Sequence, residues 1–228
     1  MVSGKRYSDA IKSFDREELF SPEEALAMSK NLAKAKFDET IELVCRLGID
    51  PKKAEEMVRG TVALPSGTGR DVRVAVFAQG EAALQAKEAG ADLVGDSDLA
   101  EQVEKGSLDF DIAIATPEMM PVVGKLGRVL GPRGLMPNPK TGTVTSNVAK
   151  AVEEFKGGMV EYRTDKFGNV QVAIGKASFD EASLLANFET VIEELQRVKP
   201  SSSKGKYIKK VVVSSTMGPG VKIDENNL

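Results

Sequence analysis

Histidine is absent from this chain of 228 residues, and cysteine occurs once, as Cys45. Without histidine there can be no Ser-His-Asp triad, no Cys-His dyad and no imidazole zinc site. A single cysteine also excludes intramolecular disulfides and thiolate-rich metal sites, and the apolar alternation around it indicates a buried packing role. The 34 acidic residues show no spacing that singles out a catalytic pair. We therefore expect a non-enzymatic protein without catalytic residues, metal or cofactor.

Long hydrophobic runs are absent as well. No apolar segment approaches the roughly 20 residues of a membrane helix, and the first residues lack the apolar core of a signal peptide. We therefore expect a cytoplasmic protein without a membrane partner. The composition, 41% hydrophobic and 29% charged, is that of a globular chain, and the length favours two modest domains.

The amino-terminal third predicts a helix followed by two strands. SPEE at 21–24 supplies an N-cap, a proline at the first helical position and the glutamate of a capping box, so a helix should run from 22 to about 35. Residues 41–47 alternate in hydrophobicity, which indicates a strand with one buried face. A second strand should cover 59–64, and PSGTG at 65–69 should form a turn or a hinge between domains.

The central segment predicts a different architecture. Short apolar strands at 72–77, 92–95 and 111–115 alternate with helices at 81–89 and 97–105. Such alternation is typical of a parallel, Rossmann-like α/β sheet covered by helices.

The carboxyl-terminal third returns to a mixed arrangement. Strands at 159–163 and 169–174 flank DKFG, a turn sequence that predicts a hairpin. SFDE at 178–181 predicts a second capping box, followed by an amphipathic helix and then a strand over 208–215. The apolar stripe of that helix consists of Leu184, Leu185, Phe188, Val191, Ile192 and Leu195.

The two flanks share one character and the middle has another, so the simplest arrangement inserts one domain into the other. We expect α/β and α+β structure in two domains. Domain one should be a split α+β unit, resembling a β-α-β sandwich, built from residues 1–67 and 158–228. Domain two should be an inserted, Rossmann-like parallel α/β unit at 68–157.

Two segments are basic in a chain whose formal net charge is −3. Residues 196–223 contain seven Lys or Arg and no acid, and they include a glycine-rich turn with hydroxyl side chains. Residues 119–152 also lack acids, and their Gly- and Pro-rich centre at 124–140 can present N–H groups and cations to phosphates. An anion is the natural partner, and RNA is the leading candidate.

Three alternatives stay open at this point. The 124–140 loop could be a structural cap whose lysines face water. An α/β enzyme or binding module could hold a phosphorylated small molecule there, although neither G-x-x-x-x-G-K-[ST] nor G-x-G-x-x-G occurs in a suitable place. A protein-interaction scaffold would bind neither RNA nor metabolite.

Four segments carry a specific resemblance: KFDET at 36–40, LGRVLGPRGLMPNPK at 126–140, GKASF at 175–179 and STMGP at 215–219. Together they resemble the bacterial form of the first protein of the large ribosomal subunit, a member of the universal L-one family of the mobile stalk. The resemblance is collinear over essentially the whole chain. It implies the same two-domain fold, in which both termini build domain one.

The resemblance also implies partners. These are large-subunit (23S) rRNA within the ribosome, deacylated tRNA whose release from the exit site the protein assists, and the protein's own operon mRNA, whose translation it represses. The free protein is expected to be a monomer.

Residue by residue, the resemblance implies an RNA-binding surface on domain one. Its members are Lys36, Phe37, Thr40, Lys166, Lys176, Ser215, Thr216, Met217 and Gly218, with Arg133 and Lys140 as secondary contacts. Considered without the resemblance, Phe37 is predicted to pack in the core, and Thr216 to serve a β-turn. Because Thr216→Val deletes one hydroxyl at constant shape, we expect it to weaken RNA binding and to leave thermal stability nearly unchanged.

Overall fold

The computed structural model describes residues 4–53, 55–106 and 108–226. The chain forms two compact units. The terminal unit combines Met1–Gly69 with Val160–Leu228, and the central unit comprises Arg70–Met159. Among the described residues, no helix has the length and apolar character needed to cross a membrane.

Helices and strands alternate through most of both units. The helices are α1 (Lys5–Lys12), α2 (Pro22–Leu32), α3 (Gly80–Glu88), α4 (Ser97–Glu104), α5 (Met120–Lys125), α6 (Gly127–Leu130), α7 (Val148–Lys156) and α8 (Glu181–Arg197). The strands are β1 (Thr40–Leu47), β2 (Arg59–Ala63), β3 (Val74–Phe77), β4 (Leu93–Gly95), β5 (Ile112–Ala115), β6 (Met159–Arg163), β7 (Asn169–Lys176), β8 (Ile208–Ser215) and β9 (Val221–Ile223).

The terminal unit is organised around an antiparallel sheet with the strand order β7-β1-β8-β9. The register places Thr40 opposite Lys176 on β7 and Ile41 opposite Ser215 on β8. The beginning of β1 therefore lies at the same end of the sheet as the ends of β7 and β8, although the three segments are far apart in sequence.

The core of the terminal unit follows the predicted periodicities. On β1 the buried side chains are Ile41, Leu43, Cys45 and Leu47. The stripe of α8 packs into the same core, where Leu184, Phe188, Val191, Ile192 and Leu195 are buried and Leu185 is half-buried. The predicted capping box at the start of α2 is present, since Ser21 and Glu24 each accept the other's backbone N–H. That helix ends at Leu32 rather than near residue 35.

The predicted hairpin around DKFG is confirmed as a turn with one antiparallel bridge, between Thr164 and Val170, but its two long strands do not pair with each other. The tight turn exists, because the Asp165 N–H donates to the Asn169 carbonyl at 2.8 Å and the Gly168 N–H to the Asp165 carbonyl at 3.2 Å. However, β6 pairs with β2 in a separate two-stranded sheet, while β7 pairs with β1. Helix α8 contacts β2 of the one sheet and β7 of the other.

The predicted capping role of Ser178 is also wrong. Helix α8 begins at Glu181 with Asp180 as its N-cap. Ser178 instead contacts the segment before β1, where its N–H and Oγ donate to the two carboxylate oxygens of Asp38 at 3.1 and 2.7 Å. Ser178 thus hydrogen-bonds a carboxylate that is distant in sequence and does not cap the helix that follows it.

The central unit contains a three-stranded parallel sheet with the order β4-β3-β5. All four residues of β3 are buried, as expected for a strand covered on both faces. Apolar residues of α3 and α7 cover one face, and those of α4, α5 and α6 cover the other. The predicted mixed α/β fold with a Rossmann-like parallel sheet is therefore confirmed. The 124–140 loop contains only short helical segments, as its Gly and Pro content predicts.

Candidate nucleic-acid interface

One end of the antiparallel sheet brings together most of the residues that the sequence singles out. The segment entering β1, the end of β7 and the turn after β8 meet there. We call this surface the sheet-edge patch, and its members are Lys36, Phe37, Thr40, Lys176, Ser215, Thr216, Met217 and Gly218. The antiparallel register of β1 with its two neighbours is what makes these separated segments adjacent.

Thr40 is the centre of the hydrogen bonds within the patch. The Thr216 hydroxyl accepts the Thr40 N–H at 2.9 Å and donates to the Thr40 carbonyl at 3.3 Å. The Lys176 ammonium donates to the Thr40 hydroxyl at 2.9 Å. Through these two hydrogen bonds, Thr216 connects the turn after β8 to the beginning of β1. The expectation that Thr216→Val leaves stability unchanged is corrected accordingly, because the substitution removes both of these hydrogen bonds.

Glu39 holds the two loops of the patch in place from beneath. Its side chain is buried, and its two carboxylate oxygens accept the N–H groups of Ala35 at 2.8 Å and Met217 at 2.9 Å. Desolvation by burial raises its pKa, but the hydrogen bonds, led by those from the Met217 and Ala35 N–H groups, and the charge of Arg6 together outweigh that effect, so the pKa of Glu39 lies below its ordinary value. Sequence reasoning did not assign it a role, although it lies inside KFDET. The available signal was the alternation of β1. Glu39 lies two residues before Ile41, so it continues the buried, apolar face of that strand although it is a carboxylate.

The turn after β8 requires a glycine at 218. The Gly218 N–H donates to the Ser215 carbonyl at 3.1 Å and closes the turn. A Cβ at Gly218 would collide with the Ser215 hydroxyl, which is itself buried. The glycine therefore allows the close approach that keeps the Thr216 and Met217 backbone at the surface.

Two large apolar side chains of the patch face solvent. Phe37 is 55% exposed and Met217 is 58% exposed. The interpretation of Phe37 as a core residue is therefore wrong, because the loop that leads into β1 turns its side chain outward. Lys36 beside it is exposed as well. Apolar side chains, hydroxyls and cations thus share one surface, a combination suited to a partner with both flat bases and charged phosphates.

Residues 29–219 match the profile of the ribosomal protein L1p/L10e family. The chain belongs to this family. It is 55% identical over 226 residues to large ribosomal subunit protein uL1 of Thermobifida fusca, covering 99% of this chain and 96% of the relative. It is 57% identical over 226 residues to the uL1 protein of a Nocardioides species, covering 99% and 94%. It is 58% identical over 224 residues to that of Cutibacterium acnes, covering 98% and 97%.

Membership of the L1p/L10e family makes the chain a structural protein of the large ribosomal subunit. The family is not enzymatic, so the alternative of an α/β enzyme acting on a phosphorylated metabolite is set aside. Within the described ranges of the chain, no group of three or more Cys, Asp or Glu side chains is placed to hold a metal ion.

Three of the predicted contacts of this L1p/L10e family member lie outside the sheet-edge patch. Lys166 is exposed in the turn between β6 and β7. The register places that turn beyond the pair of Arg46 with Asn169, six residues along β1 from Thr40, which corresponds to about 20 Å. Arg133 and Lys140 are exposed residues of the central unit. The patch therefore gathers the main predicted contacts, while these three cations occupy other surfaces.

Proposed function

We propose that this L1p/L10e family member binds large-subunit (23S) rRNA through the sheet-edge patch. The observation that carries the proposal is the link between Thr216 and Thr40, because it holds two distant segments as one rigid surface. A preformed surface loses little conformational entropy on binding, so its contacts contribute fully to affinity.

Each part of the patch has a function in this proposal. Lys36 and Lys176 pair with phosphates. The Thr40 hydroxyl donates to a phosphate, and the Thr216 hydroxyl, whose proton is used for the Thr40 carbonyl, accepts from a ribose 2′-OH. Phe37 and Met217 pack against bases that are not stacked in a helix. Contacts of this kind recognise the shape of a folded RNA more than its sequence.

The test is equilibrium binding of the purified chain to large-subunit rRNA of its own species and to an unrelated RNA of equal length, across a series of salt concentrations. The proposal expects nanomolar binding that discriminates between the two RNAs, with a log-log salt slope of several units. Weak binding that does not discriminate would reject it.

We further propose the finer activities that the family resemblance implies. If the protein represses its own operon mRNA, the message must occupy the same patch as rRNA, so the two RNAs should compete for one site. Exit-site tRNA is the third proposed RNA partner, and Arg133, Lys140 and Lys166 are proposed as additional contacts. The free protein is proposed to be a cytoplasmic monomer, which analytical ultracentrifugation of the purified chain tests.

The division of labour between domains is a proposal too. Domain one, at 1–67 and 158–228, would carry rRNA binding, and the inserted domain at 68–157 would serve as a mobile arm. A variant that joins the two flanks with a short linker and omits the inserted domain should then keep rRNA binding. Loss of binding in such a variant that remains folded would contradict this division.

A further inference from the structure

A groove of about 690 Å³ lies directly beside the sheet-edge patch. Helix α1 forms one wall, and the segment from Leu32 to Glu39 forms another. Met217 and Glu39 line the groove, so it is continuous with the patch. The lining residues that matter here are Lys5, Arg6, Tyr7, Lys34, Glu39 and Met217. The proposed RNA interface therefore extends into a concave site that the motifs did not indicate.

The charges around the groove favour an anion. Lys5, Arg6 and Lys34 are exposed cations on its walls. Two acids also line it, Asp9 and Glu39. Glu39 is buried, both of its oxygens are hydrogen-bonded to backbone N–H groups, and its charge interacts with Arg6, so the three cations exceed the two acids by one charge.

Helix α1 lies on the surface of the terminal unit and leaves the groove open to a ligand. None of its residues is buried, and Tyr7 and Ala10 are only half-buried on the side that faces the groove. A hydrogen bond from the Arg6 guanidinium to the Lys34 carbonyl, at 3.1 Å, connects the two walls. A short helix without buried residues depends on such contacts for its position.

We infer that the groove takes one unstacked nucleotide of the RNA bound at the sheet-edge patch. The base lies against Tyr7 and Met217, and its phosphate lies at the cations of α1. The volume falls in the range of roughly 300–1,000 Å³ that is usual for small-ligand sites. Proteins commonly bind RNA by stacking splayed bases on aromatic rings. The inference rests on the proposed rRNA binding and names a further contact of that same interface.

The first test compares Tyr7→Ala with Tyr7→Phe, using a large-subunit rRNA transcript that binds the wild-type chain. Tyr7→Ala should weaken binding about tenfold to a hundredfold, because it removes the stacking ring, whereas Tyr7→Phe should remain within about twofold of wild type. Affinity of Tyr7→Ala within about twofold of wild type would overturn the inference.

A second pair of variants distinguishes the loss of one contact in the groove from unfolding of helix α1. Lys5→Gln removes a cation that lines the groove, and Lys12→Gln removes one at the other end of the same helix that does not. The inference expects Lys5→Gln to reduce the log-log salt slope by about 1 and Lys12→Gln to leave it unchanged. Equal effects of the two variants would overturn it.

A third readout observes the nucleotide itself. 2-Aminopurine, placed in turn at each unpaired purine of the transcript, should be quenched by protein at one position, and Tyr7→Ala should abolish that quenching. Quenching that persists in Tyr7→Ala would overturn the inference. The broader proposal fails separately, when the wild-type chain does not distinguish the rRNA transcript from unrelated RNA.

Discussion

The hydroxyl of Thr216 is hydrogen-bonded to both backbone groups of Thr40, accepting the N–H at 2.9 Å and donating to the carbonyl at 3.3 Å. A single side chain thus completes the pairing at the end of two strands that are far apart in sequence. The same hydroxyl lies on an exposed residue of the patch, so it serves both stability and the proposed RNA contact.

Thr216→Val should therefore lower both properties. We expect a loss of about 0.5–1.5 kcal/mol in the free energy of unfolding, since water replaces part of what Thr40 loses, and about 1–3 kcal/mol in RNA binding. Denaturant titration and filter binding measure the two losses. Thr164→Val is the matched control, because the Thr164 hydroxyl also donates to a backbone carbonyl of the terminal unit, that of Val58 at 3.2 Å, but outside the patch. The control should lose stability alone, and equal RNA affinities of the two variants would contradict the assignment.

Gly218→Ala should disrupt the turn after β8. The added methyl group would collide with the Ser215 hydroxyl, so either this buried side chain must change its rotamer or the turn that carries Met217 must move. We expect a loss of about 1–3 kcal/mol in unfolding free energy and weaker RNA binding. Gly124→Ala is the control, because a Cβ there meets open space in the helical segment α5, and it should not reduce stability. If Gly218→Ala binds RNA with the affinity of the wild type, the geometry of this turn does not contribute to RNA binding.

Glu39→Gln should loosen both loops of the patch. A glutamine offers one oxygen where the carboxylate offers two, so either Ala35 or Met217 loses its acceptor. We expect a loss of about 1–3 kcal/mol in unfolding free energy at neutral pH, together with weaker RNA binding.

The pH dependence of that loss identifies the carboxylate as its cause. The folded-state pKa of Glu39 lies below the ordinary value of 4.5, so its stabilising effect is complete above pH 4.5 and is lost as the pH falls through the folded-state pKa. The difference in unfolding free energy between wild type and Glu39→Gln should therefore be largest near neutral pH and shrink as the pH falls below 4.5. A difference that is independent of pH would assign the effect to shape instead of charge.

Lys176 and Lys166 allow a matched test of where RNA binds. Lys176 lies in the patch with its ammonium 2.9 Å from the Thr40 hydroxyl, and Lys166 is exposed in the turn at the far end of the sheet. Lys176→Met should weaken binding across all salt concentrations and reduce the log-log slope by about 1. Lys166→Met should have a smaller effect, since it lies outside the patch. The opposite ranking would move the main interface to the β6–β7 turn.

Cys45 should be unreactive in the folded protein. Burial raises the pKa of its thiol from 9.0 to about 12, so almost no thiolate forms at neutral pH, and reagents cannot reach the sulfur. A disulfide reagent such as DTNB should therefore label the native chain only at the rate of unfolding, and should label it completely in guanidinium chloride. Rapid labelling of native protein would contradict the assigned core position.

Local periodicity was sufficient to predict much of the fold. The alternation from Ile41 to Leu47, the capping box of Ser21 with Glu24 and the stripe of α8 each depend on neighbours within a few residues, and each was confirmed. The parallel central sheet followed from short apolar strands that alternate with helices. Helix α1 was not predicted, although Tyr7, Ala10 and Ile11 recur at helical spacing and were the available signal.

Partners that are distant in sequence could not be predicted in this way. Ser178 contacts Asp38 instead of capping α8, and β6 and β7 join different sheets, because tertiary packing decided between options that were locally equivalent. The link between Thr216 and Thr40 depends on strand register, which no local signal specifies. Family motifs named many residues of the patch, but only the register shows that they are adjacent. The groove beside α1 includes Glu39 and Met217 of those motifs, but its α1 wall lies outside them.

The position of β1 between β7 and β8 determines when during synthesis the sheet-edge patch can form. The central unit is one continuous stretch, Arg70–Met159, and all its strands have been made before either partner of β1 leaves the translating ribosome. In the terminal unit β1 can pair with β7 once Lys176 has been added, but its other partner, β8, is complete only when Ser215 and the turn after it have been added. A nascent or prematurely terminated chain that lacks Ser215 and the turn after it therefore has no complete sheet-edge patch, and the RNA binding proposed for that patch is restricted to chains whose translation is nearly finished.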